Sequence, residues 1–235
     1  MYKVVLFFML AALPGKGGEA PASDTLRVMF WNVENFFAPG EFPAHAWSKS
    51  RFYRKCNAVA KILLLAGDTF GGLPDLVGLA EVGDASVLKA LLYSTVLRKP
   101  GYSFVHYDSP DRRGIDCALL YRRGRFRLRS SKPCHLYDSA GRIMPTRDIL
   151  LAVLEDRTAS HPGDSASAGA HQSSLLAVLV NHHPSKVGAG SGERRSIAMR
   201  RMRDLADSLR SEGFRRIISV GDFNDAVIPA AAVIP

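Results

Sequence analysis

The chain has 235 residues, enough for one good-sized domain with a well-buried core. Its composition, 47% hydrophobic and 23% charged, is ordinary for a globular protein. The net charge of +9 suits an anionic partner such as nucleic acid, phospholipid headgroups or a phosphorylated small molecule, although a solvated basic surface gives the same value. The three cysteines, Cys56, Cys117 and Cys134, match no zinc-binding spacing and cannot all pair, which excludes a cysteine zinc site and a complete disulfide framework.

Residues 1–22 are predicted to be a signal peptide. Lys3 supplies a positive charge, residues 4–13 form an apolar run too short to span a bilayer, and residues 20–22 (Ala-Pro-Ala) offer a cleavage site. The alternative is a buried N-terminal strand. We therefore expect export to a bacterial periplasm or beyond, with no stable membrane anchor, because no later segment is long and apolar enough to cross a membrane.

The remaining chain alternates predicted strands and helices. Strands rich in β-branched and aromatic residues are predicted at 26–32, 75–82, 102–107, 115–122, 126–136, 149–154, 175–182 and 215–221. Amphipathic helices are predicted at 50–65, 85–96 and 194–212, and a Ser-, Ala- and Gly-rich loop at 158–172. This order favours a mixed α/β sandwich in which two sheets pack together and helices cover the outside.

Polar residues cluster where several of these strands end. They are Asn32, Glu34, Glu81, His182, His183, Asp222, Asn224 and Asp225. A carboxylate that follows a buried strand is costly to desolvate unless a positive charge compensates it. Oxygen ligands of this kind suit Mg²⁺, Mn²⁺ or Ca²⁺ better than zinc. Each signal is weak by itself, because turn residues and strand ends give similar patterns.

Five segments, taken together and in order, resemble the endonuclease/exonuclease/phosphatase superfamily, which has the DNase-like fold. They are FWNVENFF at 30–37, LAEV at 79–82, RGIDCALLY at 113–121, VNHHPSK at 180–186 and VGDFND at 220–225. The resemblance implies an α+β protein with a four-layer α/β-β/α sandwich and a site where the two sheets open. It also implies Mg²⁺ as cofactor, with Mn²⁺ or Ca²⁺ as alternatives.

The resemblance further implies residue roles. Glu81 would be the chief metal ligand, with Asn32 and Glu34 near it. His182 would donate a hydrogen bond to the phosphate, and Asp222 and Asn224 would orient the attacking water and a phosphate oxygen. Arg113 would contact the substrate phosphate, and Asp116 would bind it or orient Arg113.

One motif of the family has no counterpart in this sequence. Family members carry a final Asp-His pair after the Gly-Asp-Phe-Asn segment, and residues 226–235 contain neither Asp nor His. We therefore expect a domain at 25–235 that lacks its C-terminal part, with an exposed sheet edge and impaired catalysis.

The function implied by the resemblance is metal-dependent phosphodiester hydrolysis by an endonuclease-like enzyme. Two alternatives stay open: a phosphatase or phospholipase on the same scaffold, and a non-catalytic polyanion-binding remnant. Five basic residues favour nucleic acid as the partner: Arg112, Arg113, Lys186, Arg194 and Arg195. We expect a monomer that binds nucleic acid or another phosphodiester substrate.

Overall fold

Two β-sheets form the centre of the protein. The computed structural model describes residues 9–11, 25–40, 48–158, 174–188 and 190–225. The first sheet has five strands in the order β1-β2-β3-β5-β4, which are β1 (Met9–Ala11), β2 (Leu26–Phe36), β3 (Leu76–Val82), β4 (Tyr102–His106) and β5 (Asp116–Arg122). The second has four in the order β6-β7-β8-β9, which are β6 (Phe126–Cys134), β7 (Ile149–Asp156), β8 (Leu175–His182) and β9 (Ile217–Asp222).

Helices cover the outer faces of the sheets. They are α1 (Lys49–Thr69), α2 (Ala85–Tyr93), a short 3-10 helix (Val96–Arg98) and α3 (Ser191–Ser211). Side-chain caps set two of the starts, because Ser48 accepts a hydrogen bond from the backbone of Arg51 and Asp84 accepts from Ser86 and Val87. Each helix then buries an apolar stripe against its sheet.

Three apolar layers separate the four structural layers. The first lies between α1, α2 and the first sheet, the second between the two sheets, and the third between the second sheet and α3. The sheets approach closely at Gly78, where an added Cβ would lie 2.9 Å from Val220 and 3.0 Å from Phe30. The predicted four-layer α/β-β/α sandwich is therefore confirmed.

Several predicted boundaries differ from the structure for local reasons. The first helix was predicted to end at residue 65, before Gly67, but it continues to Thr69 because Ala66 and Gly67 are buried against the sheet. Strand β2 was predicted to end at residue 32 and reaches Phe36, because Val33 and Phe36 pack in the helix-side core. The eight residues of β8 were predicted with both boundaries correct.

The N-terminal region was predicted to be a signal peptide, and most of it lies outside the described residues. Within it, Met9–Ala11 pair antiparallel with Leu26–Val28 at the edge of the first sheet. Export remains a prediction. The predicted loop at 158–172, apart from residue 158, and residues 226–235 also lie outside the described residues.

None of the described helices combines the length and apolar character needed to span a membrane.

Candidate active site

A cleft opens at one end of the sandwich, where strands of both sheets finish. Strands β2 and β3 run parallel, as do β8 and β9, and the carboxyl ends of all four contribute to the cleft. Its volume is about 480 Å³. The residues around it are Asn32, Glu81, Asp111, Arg113, Met144, Pro145, Thr146, Arg147, His182, Pro184, Ser185, Val187, Arg194, Asp222 and Asn224.

Strand alternation brings three of these side chains to the cleft. Asn32, His182 and Asp222 each continue a row of residues that face the other sheet. The preceding members of the rows are Val28 and Phe30 in β2, Val178 and Val180 in β8, and Ile218 and Val220 in β9. His182 and Asp222 are also direct neighbours in the β8–β9 register. Because alternate residues of these strands are buried between the sheets, the polar residue that ends each row lies at the cleft.

Glu81 reaches the cleft through an irregularity in its strand. In β3, Leu79 faces the helices and Ala80 faces the second sheet. Glu81 then has φ +63°, and the pairing with β5 shifts between Ala80 and Val82. As a result Val82 packs on the helix side and Glu81 lines the cleft. A positive φ at a non-glycine residue is uncommon and is often found at functional sites.

Glu81 and Asp222 converge on one amide. The Asn32 side-chain nitrogen donates to Glu81 Oε1 and to Asp222 Oδ2, each at 3.2 Å. The backbone N–H of Asn35 donates to the other Glu81 oxygen at 3.0 Å. Among the described residues, no lysine or arginine lies within ion-pair distance of either carboxylate, and His182 Nε2 is 4.0 Å from Glu81 Oε1. Within the described part of the chain, the nearby positive charge of Lys55 interacts with Glu81 without forming an ion pair, so neither carboxylate has a lysine or arginine in direct contact.

Glu34 was predicted near the metal, and the structure does not place its side chain around the cleft. Glu34 (φ +53°) and Asn35 (φ +49°) are both left-handed, so the strand loses its regular alternation after Asn32. The backbone of Glu34 supports the site instead: its N–H donates to Asn32 Oδ1 at 3.0 Å and its carbonyl accepts from Lys55. Asn32 was predicted as a metal ligand. In the structure its side-chain oxygen accepts a hydrogen bond from the Glu34 backbone, and its nitrogen donates to Glu81 and Asp222 and so holds both carboxylates in place.

His182 presents a neutral imidazole to the cleft. Its side chain is 4% exposed. Burial lowers its pKa well below the usual range, and the nearby positive charges of Arg147 and Arg113 lower the pKa further. His183 is also buried, but its ring packs edge-on against Phe223 at 5.1 Å rather than lining the cleft. Of the two adjacent histidines, the structure therefore places His182 at the site.

A tight turn after β9 fixes Asp222 and Asn224. The backbone N–H of Asn224, at φ +48°, donates to Asp222 Oδ1 at 3.1 Å. The Asn224 amide donates to the carbonyl of His183 at 2.9 Å, and Arg147 donates to the same carbonyl at 2.8 Å. The turn is thus tied to the end of β8.

Arg147 and Asp111 were missed by the sequence predictions. The Arg147 side chain is 8% exposed and pairs with Asp111 at 3.2 Å. Arg147 lies two residues before β7, a charged residue beside a buried strand. The sequence predictions had considered polar residues where strands end, and extending the same search to charged residues that precede a buried strand would have identified Arg147.

The side chains of Arg113 and Asp116 lie in different places in the structure. Arg113 lines the cleft and contacts Asp111 rather than Asp116, with Nε 3.7 Å from Asp111 Oδ1. Asp116 starts β5 on the helix-side face, as Ala118 does, so its carboxylate does not line the cleft. Burial raises the pKa of Asp116 to about 7. The predicted orientation of Arg113 by Asp116 is therefore wrong, because strand alternation directs Asp116 to the other face of the sheet.

The sequence profile of the Endonuclease/Exonuclease/phosphatase family matches residues 27–231. The chain belongs to this family. Enzymes of the Endonuclease/Exonuclease/phosphatase family depend on divalent metals. A search of curated proteins gave no match to the sequence.

Solved structures of the family share the fold. The human Nocturnin catalytic domain with bound sulfate is 21% identical, with a TM-score of 0.56, and covers 85% of this chain and 65% of its own. The mannosyl-6-phosphatase of Bacteroides thetaiotaomicron is 17% identical, with a TM-score of 0.55 and coverage of 85% and 65%. ANGEL2, a 2′,3′-cyclic phosphatase in complex with adenosine-2′,3′-vanadate, is 18% identical, with a TM-score of 0.55 and coverage of 86% and 54%. This chain therefore spans less than two thirds of the length of these neighbours.

The residues of the cleft fit the divalent metal that the family requires. Two carboxylates, Glu81 and Asp222, lie beside the same amide nitrogen without a lysine or arginine at ion-pair distance in the described residues. Like charges this close are costly unless a cation lies between or beside them. Carboxylate oxygens are the ligands that Mg²⁺ and similar hard cations prefer.

Proposed function

We propose that this protein hydrolyses phosphodiester bonds in nucleic acid, as an endonuclease-like enzyme that uses Mg²⁺. The observation that carries the proposal is the convergence of Asn32, Glu81, His182, Asp222 and Asn224 at one cleft. Phosphodiester cleavage needs a Lewis acid, an oriented nucleophile and hydrogen-bond donors to the phosphoryl oxygens. The cleft contains side chains suited to each requirement.

Glu81 would hold the metal, with Asp222 beside it, and when bound the ion would stabilise negative charge on the phosphoryl oxygens. Asn32 keeps both carboxylates in place through its two 3.2 Å hydrogen bonds. The buried backbone contacts around Glu34 and Asn35 hold Asn32 and Glu81 in turn. The arrangement is therefore organised before any substrate enters.

The other cleft residues would act directly on the substrate. The neutral imidazole of His182 can donate an N–H to a phosphoryl oxygen. Asp222, held from both sides by Asn32 and Asn224, can orient a water molecule for attack. Arg113, whose side chain is 55% exposed, can contact a phosphate at the mouth of the cleft.

The surroundings of the cleft favour a polyanionic substrate. Arg194 lines the cleft from the start of α3, and the exposed residues Arg200 and Arg203 continue along that helix. Together with the net charge of +9, they would bind phosphates beyond the one being cleaved. Affinity for DNA should then fall steeply as salt concentration rises, because binding releases counterions.

A phosphatase acting on a phosphomonoester or cyclic phosphate is the second candidate. Two neighbours of the same fold carry such names, a mannosyl-6-phosphatase and a 2′,3′-cyclic phosphatase. Fold alone does not decide between these substrates. Release of inorganic phosphate from small phosphomonoesters, with no cleavage of polynucleotides, would favour this candidate.

The experiment is an assay of supercoiled plasmid nicking with Mg²⁺ and with Mn²⁺. In line with the impaired catalysis expected from the sequence, we expect slow nicking by the wild-type chain and a further loss of about 10²–10³-fold in the Glu81→Gln and Asp222→Asn variants. Asp204→Asn changes an exposed carboxylate on α3 and is the matched control that should keep activity, whereas the two cleft variants report any contaminating nuclease. Equal nicking by all four proteins would contradict the proposal.

We also propose that residues 1–22 direct export in a bacterial cell. Sequencing the N-terminus of protein recovered from periplasmic and culture fractions tests this. Recovery only of cytoplasmic protein that still begins at Met1 would contradict it.

A further inference from the structure

A second group of metal-binding side chains lies at the same end of the first sheet, on its other face. His106 ends β4 and Asp116 begins β5. Both belong to the rows that face the helices, because Phe104 and Ala118 in the same rows pack in the helix-side core. Asp108 follows β4 by two residues. The sheet itself separates this group from the cleft.

The ligand atoms of these three residues are close together. One nitrogen of His106 and one oxygen from each of Asp108 and Asp116 all lie within 4.8 Å of one another. His106 Nε2 is 3.7 Å from Asp116 Oδ2, and the other ring nitrogen, Nδ1, is 3.9 Å from Asp108 Oδ1. The side chains of His106 and Asp116 are 3% and 4% exposed, whereas that of Asp108 is 87% exposed. The group is therefore buried on one side and open to solvent through Asp108.

His106 provides an independent sign of a ligand. Its Nε2 is buried and has no hydrogen-bond partner among the described residues, although buried polar groups are almost always hydrogen-bonded. The 3.7 Å separation from Asp116 is too long for a hydrogen bond. It suits two ligands of one ion, because atoms that each lie about 2.0–2.2 Å from a metal are about 3–4 Å apart.

We propose that His106, Asp108 and Asp116 bind a divalent transition metal of the Zn²⁺ class at a site distinct from the cleft. An imidazole nitrogen with two carboxylates suits Zn²⁺ better than Mg²⁺, which prefers oxygen ligands alone. The ion would join the end of β4 to the start of β5. The loop at 107–115 between them carries Asp111 and Arg113, so the ion would fix the loop that borders the cleft.

The test is a calorimetric titration of the untagged, chelator-treated chain with ZnCl₂. The titration uses the Glu81→Gln background, in which the cleft site is disabled. We expect one Zn²⁺ to bind per chain. Removing one ligand should lower the Zn²⁺ affinity by about 10-fold or more, because removing even a residue that only orients a ligand typically has an effect of that size. The variants are His106→Gln and Asp108→Ala. Asp108→Ala changes an exposed side chain and should leave the fold intact.

Control and spectroscopic measurements complete the experiment. His135 forms a histidine–carboxylate pair with Asp148 at 2.9 Å outside the proposed site, and His135→Gln should leave Zn²⁺ affinity unchanged. Co²⁺ in place of Zn²⁺ should give visible absorption bands that change in His106→Gln. Absence of Zn²⁺ binding in the Glu81→Gln chain would overturn the proposal, as would an affinity unchanged by Asp108→Ala. If circular dichroism shows that His106→Gln is unfolded, the Asp108→Ala result decides.

Discussion

The two ends of the sandwich differ in how the charges of their buried and partly buried carboxylates are compensated. At the end away from the cleft, Asp75 pairs with Arg125 at 2.9 Å, and Asp156 pairs with Arg125 at 3.2 Å and with Arg216 at 2.9 Å. At the cleft, no lysine or arginine of the described residues pairs with Glu81 or Asp222. The far end compensates its carboxylates with arginines, whereas at the cleft Arg147 compensates Asp111 and, among the described residues, leaves Glu81 and Asp222 without an arginine or lysine at ion-pair distance. The difference distinguishes the carboxylates held in ion pairs from the two that we propose to bind a cation.

The largest effect on stability is expected at the closed end. Asp156→Ala should lower the free energy of unfolding by about 3 kcal/mol, because it leaves the partly buried Arg216 without its carboxylate partner and Arg125 with Asp75 alone. Urea unfolding of the metal-free chain measures the loss. Asp204→Ala, at an exposed carboxylate, provides the comparison. A loss at Asp156 no larger than at Asp204 would show that the network does not stabilise the fold.

The ion pairs of Asp156 with Arg125 and Arg216 should make the stability of the fold depend on pH. Burial raises the pKa of Asp156, but hydrogen bonds from Arg125, Arg216 and Thr158 outweigh it, so the net pKa lies below the usual value of 3.8. The folded state then favours the ionised form, and its stabilising contribution is full above the unfolded pKa and is lost as pH falls through the folded one. We expect the stability gap between wild type and Asp156→Asn to be constant from about pH 7 to 5 and to narrow below about pH 4. If the difference in unfolding free energy between wild type and Asp156→Asn grew as the pH fell, the pKa of Asp156 would have to be raised by folding, which would contradict the prediction.

The packing beneath the cleft is expected to give a smaller effect. An added Cβ at Gly221 would lie 2.5 Å from the carbonyl oxygen of Asn181, in the strand pair that carries His182 and Asp222. Gly221→Ala should therefore cost about 1–3 kcal/mol in unfolding free energy. Gly124→Ala is the matched control, since no atom of the described residues lies within 4 Å of its added Cβ. Equal unfolding midpoints for the two variants would contradict the close approach.

The smallest effect concerns the turn that supports the cleft. Arg147→Lys keeps a positive charge beside Asp111 but cannot hold both Asp111 and the His183 carbonyl as the guanidinium does. We expect kcat to fall about 10-fold, the size of one lost hydrogen bond to a charged group, with little change in stability. Arg127→Lys, at an exposed position of β6 that does not line the cleft, is the control. A change confined to KM would indicate that Arg147 binds substrate and does not position the turn.

The sequence predicted most of the architecture because its strands carry continuous apolar runs. Strand β8 was located residue for residue, and its last residue, His182, lies in the cleft. The orientation of Asp116 could not be predicted for the same reason. Strand β5 is buried on both faces, so its continuous apolar sequence does not show which face of the sheet carries the side chain of Asp116. The reversal at Glu81 depends on a positive φ within a strand, which composition and periodicity do not reveal. Arg147 was missed because its partners, Asp111 and the His183 carbonyl, are distant in sequence.

The central claim is that the open end of the sandwich leaves Glu81 and Asp222 for a divalent cation. Calorimetric titration of the metal-free chain with Mg²⁺, compared between wild type and Glu81→Gln, tests it most directly. We expect wild-type binding that is strongly weakened in the variant, because the side-chain amide that replaces the Glu81 carboxylate carries no negative charge for the ion. Equal Mg²⁺ affinity in the two proteins would contradict the claim.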